Sequence, residues 1–334
     1  MLSHTRHHDA ELALVVRGGF PESRHRGFAV AIAGDGSMAA ALGDPDTPIL
    51  PRSTLKPFQA IASLRAGAGL AGEHLAIATG SHDGSEAHLG AVRAILASAG
   101  VDEDALGCPP ALPGDPEALR AATTAAVRDR GASNAPEPRR IWHNCSGKHA
   151  GMLAACVASG WDPATYLGVQ HPLQEMVREV ISEAVGAIHA TAVDGCGAPV
   201  HAVTVRDLAT AYAQLPWADP DGVRVAEAMR AHPVMVGGAT ADDTRLMQLL
   251  PGSIAKRGAE GVLAVSAPGG GGVAVKVSDG SMRAAMVVAI HLLGMLGVET
   301  APAAALGHAA VLGGGLPVGS IEPSIGLLRA AQGE

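Results

Sequence analysis

The sequence predicts an α/β protein in which one antiparallel-rich sheet is built from both chain ends and covered by helices, with a mostly helical insert between them. Three observations carry this. Strand-like runs of apolar and β-branched residues open the chain at 12–16, 27–33 and 38–42. Similar runs return near the other end, at 261–266 and 273–277. Between the two groups, apolar residues recur at helical spacing over a long middle section.

Taken in order, Gly34-Asp35-Gly36-Ser37 is a hairpin turn joining the second and third strands. After Asp44-Pro45-Asp46 and Pro48, residues 54–66 form a helix that tolerates Pro57 because it falls in the first turn, where few backbone N–H groups need partners. Helices follow at 86–99, 117–130, 147–159, 172–185, 206–214, 223–231 and 245–250. Residues 131–139, rich in Pro, Asn and Ser, are a loop within the fold. Pro268-Gly269-Gly270-Gly271-Gly272 turns between the last two strands, and an apolar helix runs from 282 to about 296. There is no internal repeat, so a single domain over 1–334 is expected, its sheet drawn from about 10–45 and 260–298 and its helical middle from about 54–250.

Composition narrows the function. With 24 Lys plus Arg against 32 Asp plus Glu, the net charge of -8 gives no electrostatic reason for a nucleic-acid partner. The longest apolar run, about 284–298, is shorter than the roughly 20 residues of a membrane span, and no charged-then-apolar leader opens the chain. A cytoplasmic protein with no membrane partner is expected. Aromatics make up 2%, which leaves an aliphatic core and little material for base stacking. Four cysteines, Cys108, Cys145, Cys156 and Cys196, are too few for a disulfide scaffold at this length. His4, His7 and His8 read as a tail and not as a metal site.

The basic residues hold a sharper signal. Only four are lysines: Lys56, Lys148, Lys256 and Lys276. Arg cannot give up its proton, whereas a buried Lys can become neutral and act as a base or ligand. Ser53-Thr54-Leu55-Lys56 is a Ser-x-x-Lys unit at a helix start, with both side chains on one face; a helix cap is its simpler reading. Gly80-Ser81-His82-Asp83-Gly84-Ser85-Glu86-Ala87-His88 packs Ser, His and acid before a helix, and it too reads either as a capped helix start or as a site.

The third cluster joins Asn144-Cys145-Ser146-Gly147-Lys148-His149 to Asp194-Gly195-Cys196-Gly197. Two thiolates here could hold zinc, with His149, Asp194 or His143 as the conventional third ligand and Lys148 as an unusual one, or they could be inert buried thiols. The run Gly269 to Gly272 leads into a strand, so it reads as a turn and not as a phosphate loop. Lys256 carries no motif of its own, and Lys276 reads as an edge lysine.

Together these segments resemble the asparaginase II family, the rhizobial-type, thermolabile L-asparaginases. The resemblance runs through Arg52-Ser53-x-x-Lys56-Pro57, Ser81-His82, Asn144-Cys145-Ser146-Gly147-Lys148-His149-Ala150-Gly151-Met152, Asp194-Gly195-Cys196, His232-Pro233-x-Met235-Val236 and Lys256-x-Gly258-Ala259. It implies a serine β-lactamase/glutaminase-like fold and an amidohydrolase that converts L-asparagine to L-aspartate and ammonia. It also implies two catalytic pairs, Ser53 with Lys56 and Ser81 with Lys256, with Ser53 as the expected nucleophile. By the same resemblance Cys145, Lys148 and Cys196 hold zinc, and Arg52, His82, His149 and Asp194 surround the substrate. A homodimer is the family expectation. Gly197 stands where a larger residue can occur, the tail after Gly297 matches weakly, and residues 238–243 leave side-chain selectivity open. Two alternatives remain: another Ser-x-x-Lys acyl-transfer enzyme, either a glutaminase or a β-lactam-reactive protein, and a non-catalytic zinc-stabilised binding protein.

Overall fold

The computed structural model describes residues 8–130 and 135–330. The chain opens with β1 (Ala10–Arg17), β2 (Phe20–Ile32) and β3 (Met38–Leu42), and the short β4 (Pro48–Ile49) follows. The helical stretch comprises α1 (Lys56–Arg65), α2 (Gly72–Ala78), α3 (Glu86–Ser98), α4 (Pro116–Arg130), α5 (Ser146–Ser159) and α6 (Pro172–Val185). Then come β5 (Ala190–Val193), β6 (Pro199–Thr204), α7 (Val205–Gln214), α8 (Pro220–Ala231), α9 (Pro233–Gly237) and α10 (Asp242–Leu249). The chain closes with β7 (Ile254–Gly258), β8 (Val262–Ser266), β9 (Gly272–Val277), α11 (Ala285–Met295), β10 (Ala309–Gly313), β11 (Leu316–Pro323) and α12 (Ile325–Ala330).

The main sheet runs β10-β11-β1-β2-β9-β8-β7, with β3 also paired to β2. Every one of its pairings is antiparallel, and the join between the two chain ends is the β2–β9 ladder, Gly27↔Val277 through Ile32↔Gly272. At its centre the sheet lies between α7 on one side and α11 on the other. That double cover explains why β8 is buried along its whole length and reads as a continuous apolar run. It also explains α11, whose sequence AMVVAIHLLGM is apolar nearly all round because it is buried nearly all round. Gly272 lets α7 come this close, since a Cβ there would meet the Ala209 carbonyl at 2.1 Å.

The expected plan of end strands and helical insert is the one observed, with corrections at the sheet edges. β7 begins at Ile254, ahead of the predicted range, because Lys256 and Arg257 break the apolar pattern of a strand that is nevertheless buried. The weakly patterned tail after Gly297 adds β10 and β11, which extend the sheet beyond β1. The predicted 260–298 portion in turn contains α11 as well as strands. Short elements that sequence periodicity did not reveal are α2, α9, β5 and β6. Residues 131–134 of the predicted loop, and His4 and His7, lie outside the described residues. Among the described residues no helix is long and apolar enough to cross a membrane.

Candidate active site

The site forms where α1, the loop after α2, the start of α5 and β7 meet. A short 3-10 turn, Arg52–Leu55, leads into α1, and Arg52 takes a left-handed backbone conformation, φ 56°, that non-glycine residues rarely adopt. The turn is pinned below by Thr54, whose carbonyl accepts the buried Tyr212 hydroxyl at 2.7 Å and whose own hydroxyl donates to Pro51 O at 2.9 Å. Ser53 is half-buried on this turn. Lys56, one helical step on, is 1% exposed.

The Lys56 amine donates to Gly80 O and reaches Ser81 Oγ at 3.1 Å and Asn144 O at 3.4 Å. Lys256, fully buried on β7, reaches the same Ser81 oxygen from the other side at 3.0 Å and donates to Arg257 O at 2.8 Å. One hydroxyl is thus held between two buried amines. Burial pushes Lys256 down to about 7, helped by the charges of Lys56 and Arg257 and opposed by Asp243, whose Oδ2 lies 3.7 Å away. An amine with that value is a competent proton acceptor at neutral pH. Ser81 itself is fixed by its backbone N–H, which donates to Val236 O at 2.7 Å.

The loop beyond Ser81 is locked by a fully assigned histidine. Gly84 N–H donates to His82 Nδ1 at 3.2 Å, so Nε2 carries the hydrogen and donates to Ser146 Oγ at 2.9 Å; Ser146 in turn donates to Ile141 O at 2.8 Å. Burial, with the charges of His88, Lys56 and His143, holds His82 well below the usual imidazole range. With both ring nitrogens engaged inside the protein, His82 positions the Ser81 loop and has no polar atom left for a substrate.

At the start of α5, Lys148 Nζ lies 3.0 Å from Cys196 Sγ, and both residues are buried. The neighbouring Cys196 sulfur, with the charges of Lys56 and Lys148, holds the Cys145 thiol well below its ordinary range against the opposing effect of burial. Burial pushes Lys148 toward neutrality, but the two sulfurs outweigh it and its pKa is raised. His149 Nδ1 is bonded to the Tyr166 hydroxyl, which also accepts Gly107 N–H at 2.8 Å. Burial lowers His149 to about 4, with the neighbouring Cys196 sulfur opposing. Arg52 Nε donates to Asp194 Oδ1 at 2.6 Å, and the same oxygen accepts Gly195 N–H at 2.8 Å. Burial raises the Asp194 pKa, but Arg52 and Lys148 outweigh it and the carboxyl is held low.

Ser81, Lys56, Lys256, Cys145, Lys148, Cys196, His149, Asp194 and Arg52 therefore lie in one linked polar region. Ser81 lies against Lys256, the expected partner, but among the described residues no side-chain hydrogen bond joins Ser53 to Lys56, whose backbone N–H donates to Ser53 O and whose amine converges with Lys256 on Ser81. Asp243 and Tyr166 belong to the region and were not singled out by motif. The four cysteines are free thiols. Among the described residues, no three His, Cys, Asp or Glu side chains are grouped to hold a metal.

The family model described as L-asparaginase II matches residues 13–323. No curated protein matches the sequence. Among solved structures, one described as Mglu in its tris and glutamate form is 17% identical, with a TM-score of 0.34, over 83% of this chain and 61% of that one. This chain therefore spans about three fifths of that protein's length. A Bacillus glutaminase is 12% identical, with a TM-score of 0.39, over 80% of this chain and 89% of that one. A β-lactamase from Mycobacterium bovis is 15% identical, with a TM-score of 0.35, over 78% of this chain and 89% of that one.

Replacing His82 by Phe keeps a ring in the same space but strands Gly84 N–H and removes the bond to Ser146. A loss of about 1–3 kcal/mol in urea denaturation is expected. Unchanged stability would show that the histidine does not hold this loop.

Proposed function

We propose that this chain, which belongs to the L-asparaginase II family by its match over residues 13–323, is an amidohydrolase that hydrolyses the side-chain amide of L-asparagine to L-aspartate and ammonia. The observation that carries the reading is Ser81 Oγ, held 3.1 Å from one buried lysine amine and 3.0 Å from another. A hydroxyl in that position can pass a proton between two bases. It is poorly placed to attack, being buried and engaged on both sides. Ser53 is half-buried on the neighbouring turn and is the hydroxyl that a substrate can reach.

In the proposed cycle Ser53 Oγ bonds to the side-chain carbonyl carbon while its proton passes to Lys56. Two backbone carbonyls, Gly80 O and Asn144 O, orient the Lys56 amine for this step. The C–N bond then breaks, and the proton delivered through Lys56 and Ser81 leaves with ammonia. Water attacks the resulting ester and gives its proton to the relay that ends at Lys256; as the ester C–O bond breaks, the relay returns that proton to Ser53 Oγ, so aspartate is released with Ser53 and both lysines restored. Each positioned acid–base group of this kind contributes typically about 10² to 10⁴-fold. Arg52, held by Asp194, presents a guanidinium beside the attacking serine that suits the substrate's α-carboxylate.

The donor set at the thiols fits zinc: two buried cysteine sulfurs, and an amine 3.0 Å from one of them. Cys145, Cys196 and Lys148 would hold the ion, and bound there it would supply a positive charge that orients the substrate and stiffens the start of α5.

Three results are expected. With hydroxylamine present, L-asparagine should yield aspartyl hydroxamate, reporting an acyl-enzyme; Ser53→Ala should abolish it, and Ser81→Ala should slow it by about 10² to 10⁴-fold. Hydroxamate from glutamine alone would make the protein a glutaminase, and product retained in Ser53→Ala would move the nucleophile elsewhere. Because Lys256 accepts protons only when neutral, and its value is lowered to about 7, kcat/KM should rise with pH through about 7; an acid limb near 10 would remove it from this role. Metal analysis should find zinc in the parent protein and little in Cys145→Ser or Cys196→Ser, whereas equal content in all three would exclude this donor set.

A further inference from the structure

We propose that Asp243 is a positioning residue for this reaction, holding the Lys256 amine against Ser81 and setting the pH at which that amine becomes free to accept a proton. The inference rests on the functional reading above. No sequence motif marks Asp243, and the catalytic cycle makes no use of it, yet it is a fully buried acid on α10 in a socket built around its carboxylate. Oδ2 accepts the Arg257 backbone N–H at 3.1 Å, and Oδ1 accepts the Thr244 N–H at 3.2 Å. Gly237 makes room for the group, since a Cβ there would lie 2.7 Å from Oδ1.

The socket ties α10 to β7 at the residue next to the lysine. Arg257 donates its N–H to Asp243, and its carbonyl accepts the Lys256 amine at 2.8 Å. Asp243 Oδ2 then lies 3.7 Å from Nζ, on an amine that reaches Ser81 Oγ at 3.0 Å. The charged groups facing this amine are Asp243 from α10, Lys56 from α1, Arg257 from its own strand and Cys145 from the segment before α5. Lys56 and Arg257 favour the neutral amine, while Asp243 and Cys145 favour the ammonium. Asp243 is the stronger of the two groups that favour the charge, and among the described residues no other acid within ion-pair distance keeps Lys256 able to hold a relayed proton.

The test uses the full chain labelled at lysine, where four residues give a countable set of side-chain resonances. Asp243→Asn should lower the Lys256 titration midpoint by about one pH unit or more, the scale of an opposite charge at this distance. The acid limb of kcat/KM should move down with it, and kcat for L-asparagine should fall at least tenfold with KM within about twofold. Arg257→Gln, at a side chain 40% exposed and so tolerant of change, should raise the midpoint by removing a competing cation. Asp243→Glu should restore the midpoint more fully than the activity, because the longer side chain carries the charge without the same placement. A folded Asp243→Asn protein with an unmoved midpoint overturns the proposal. If that variant does not fold, an unmoved midpoint in Arg257→Gln overturns it. A parent that releases no ammonia from L-asparagine defeats the functional reading instead, and the titration still decides whether Asp243 controls Lys256.

Discussion

Two buried lysine amines on one serine oxygen set the terms for everything around them. Burying an ammonium costs several kcal/mol unless it is paired or hydrogen-bonded, and burying two together adds their repulsion. The fold meets this with backbone carbonyls at Gly80, Asn144 and Arg257, and with a buried carboxylate at Asp243. What repulsion remains is relieved by lowering the proton affinity of Lys256 to about 7. That value is the chemically useful outcome, since it leaves a base within reach of a hydroxyl at neutral pH.

The scaffold makes the arrangement possible by joining distant parts of the chain. Lys256 arrives on a strand of the main sheet, Lys56 on the first turn of a helix in the insert, and Ser81 on a loop fixed by Val236 and His82. None of these parts touches another in sequence, and small shifts between sheet and insert would separate them. Close-packed glycines keep them together: Gly80 against Met235 O, Gly147 against Ile77 O and Gly258 against Pro51 O leave no room for a side chain at any of the three positions.

Much of this was legible in the sequence, for physical reasons that also mark where it stopped. The scarcity of lysine pointed to Lys56, Lys148 and Lys256, and all three are buried in the site, while Lys276, read as an edge residue, hydrogen-bonds Glu260 O on the surface. The contact between Ser81 and Lys256 agrees with the expected pair, but the bond from Lys56 to Ser81 could not be read because it spans the fold, whereas Ser53 and Lys56 are neighbours in sequence. Asp243 fell in the segment 238–243 that was read as bearing on selectivity, but its own role was not legible because it depends on a helix and a strand meeting at Arg257. His82 was placed beside the substrate by resemblance; only its tautomer, fixed by Gly84 and Ser146, shows both nitrogens to be committed elsewhere. β10 and β11 escaped because their outward faces are exposed and carry apolar residues such as Leu312 and Leu316, so the alternation that reveals a half-buried strand is missing.

The thiol cluster shows the same economy on the other side of Lys56. Lys148 Nζ lies 3.0 Å from Cys196 Sγ, and the Cys145 and Cys196 sulfurs outweigh burial and raise its pKa. The central claim is that the lysine-clamped hydroxyl drives amide hydrolysis of L-asparagine. Ammonia release by the purified, zinc-loaded protein, with Lys56→Met prepared identically as control, tests it most directly. Release that disappears in the variant is expected. A folded parent that releases none, or a variant as active as the parent, would contradict it.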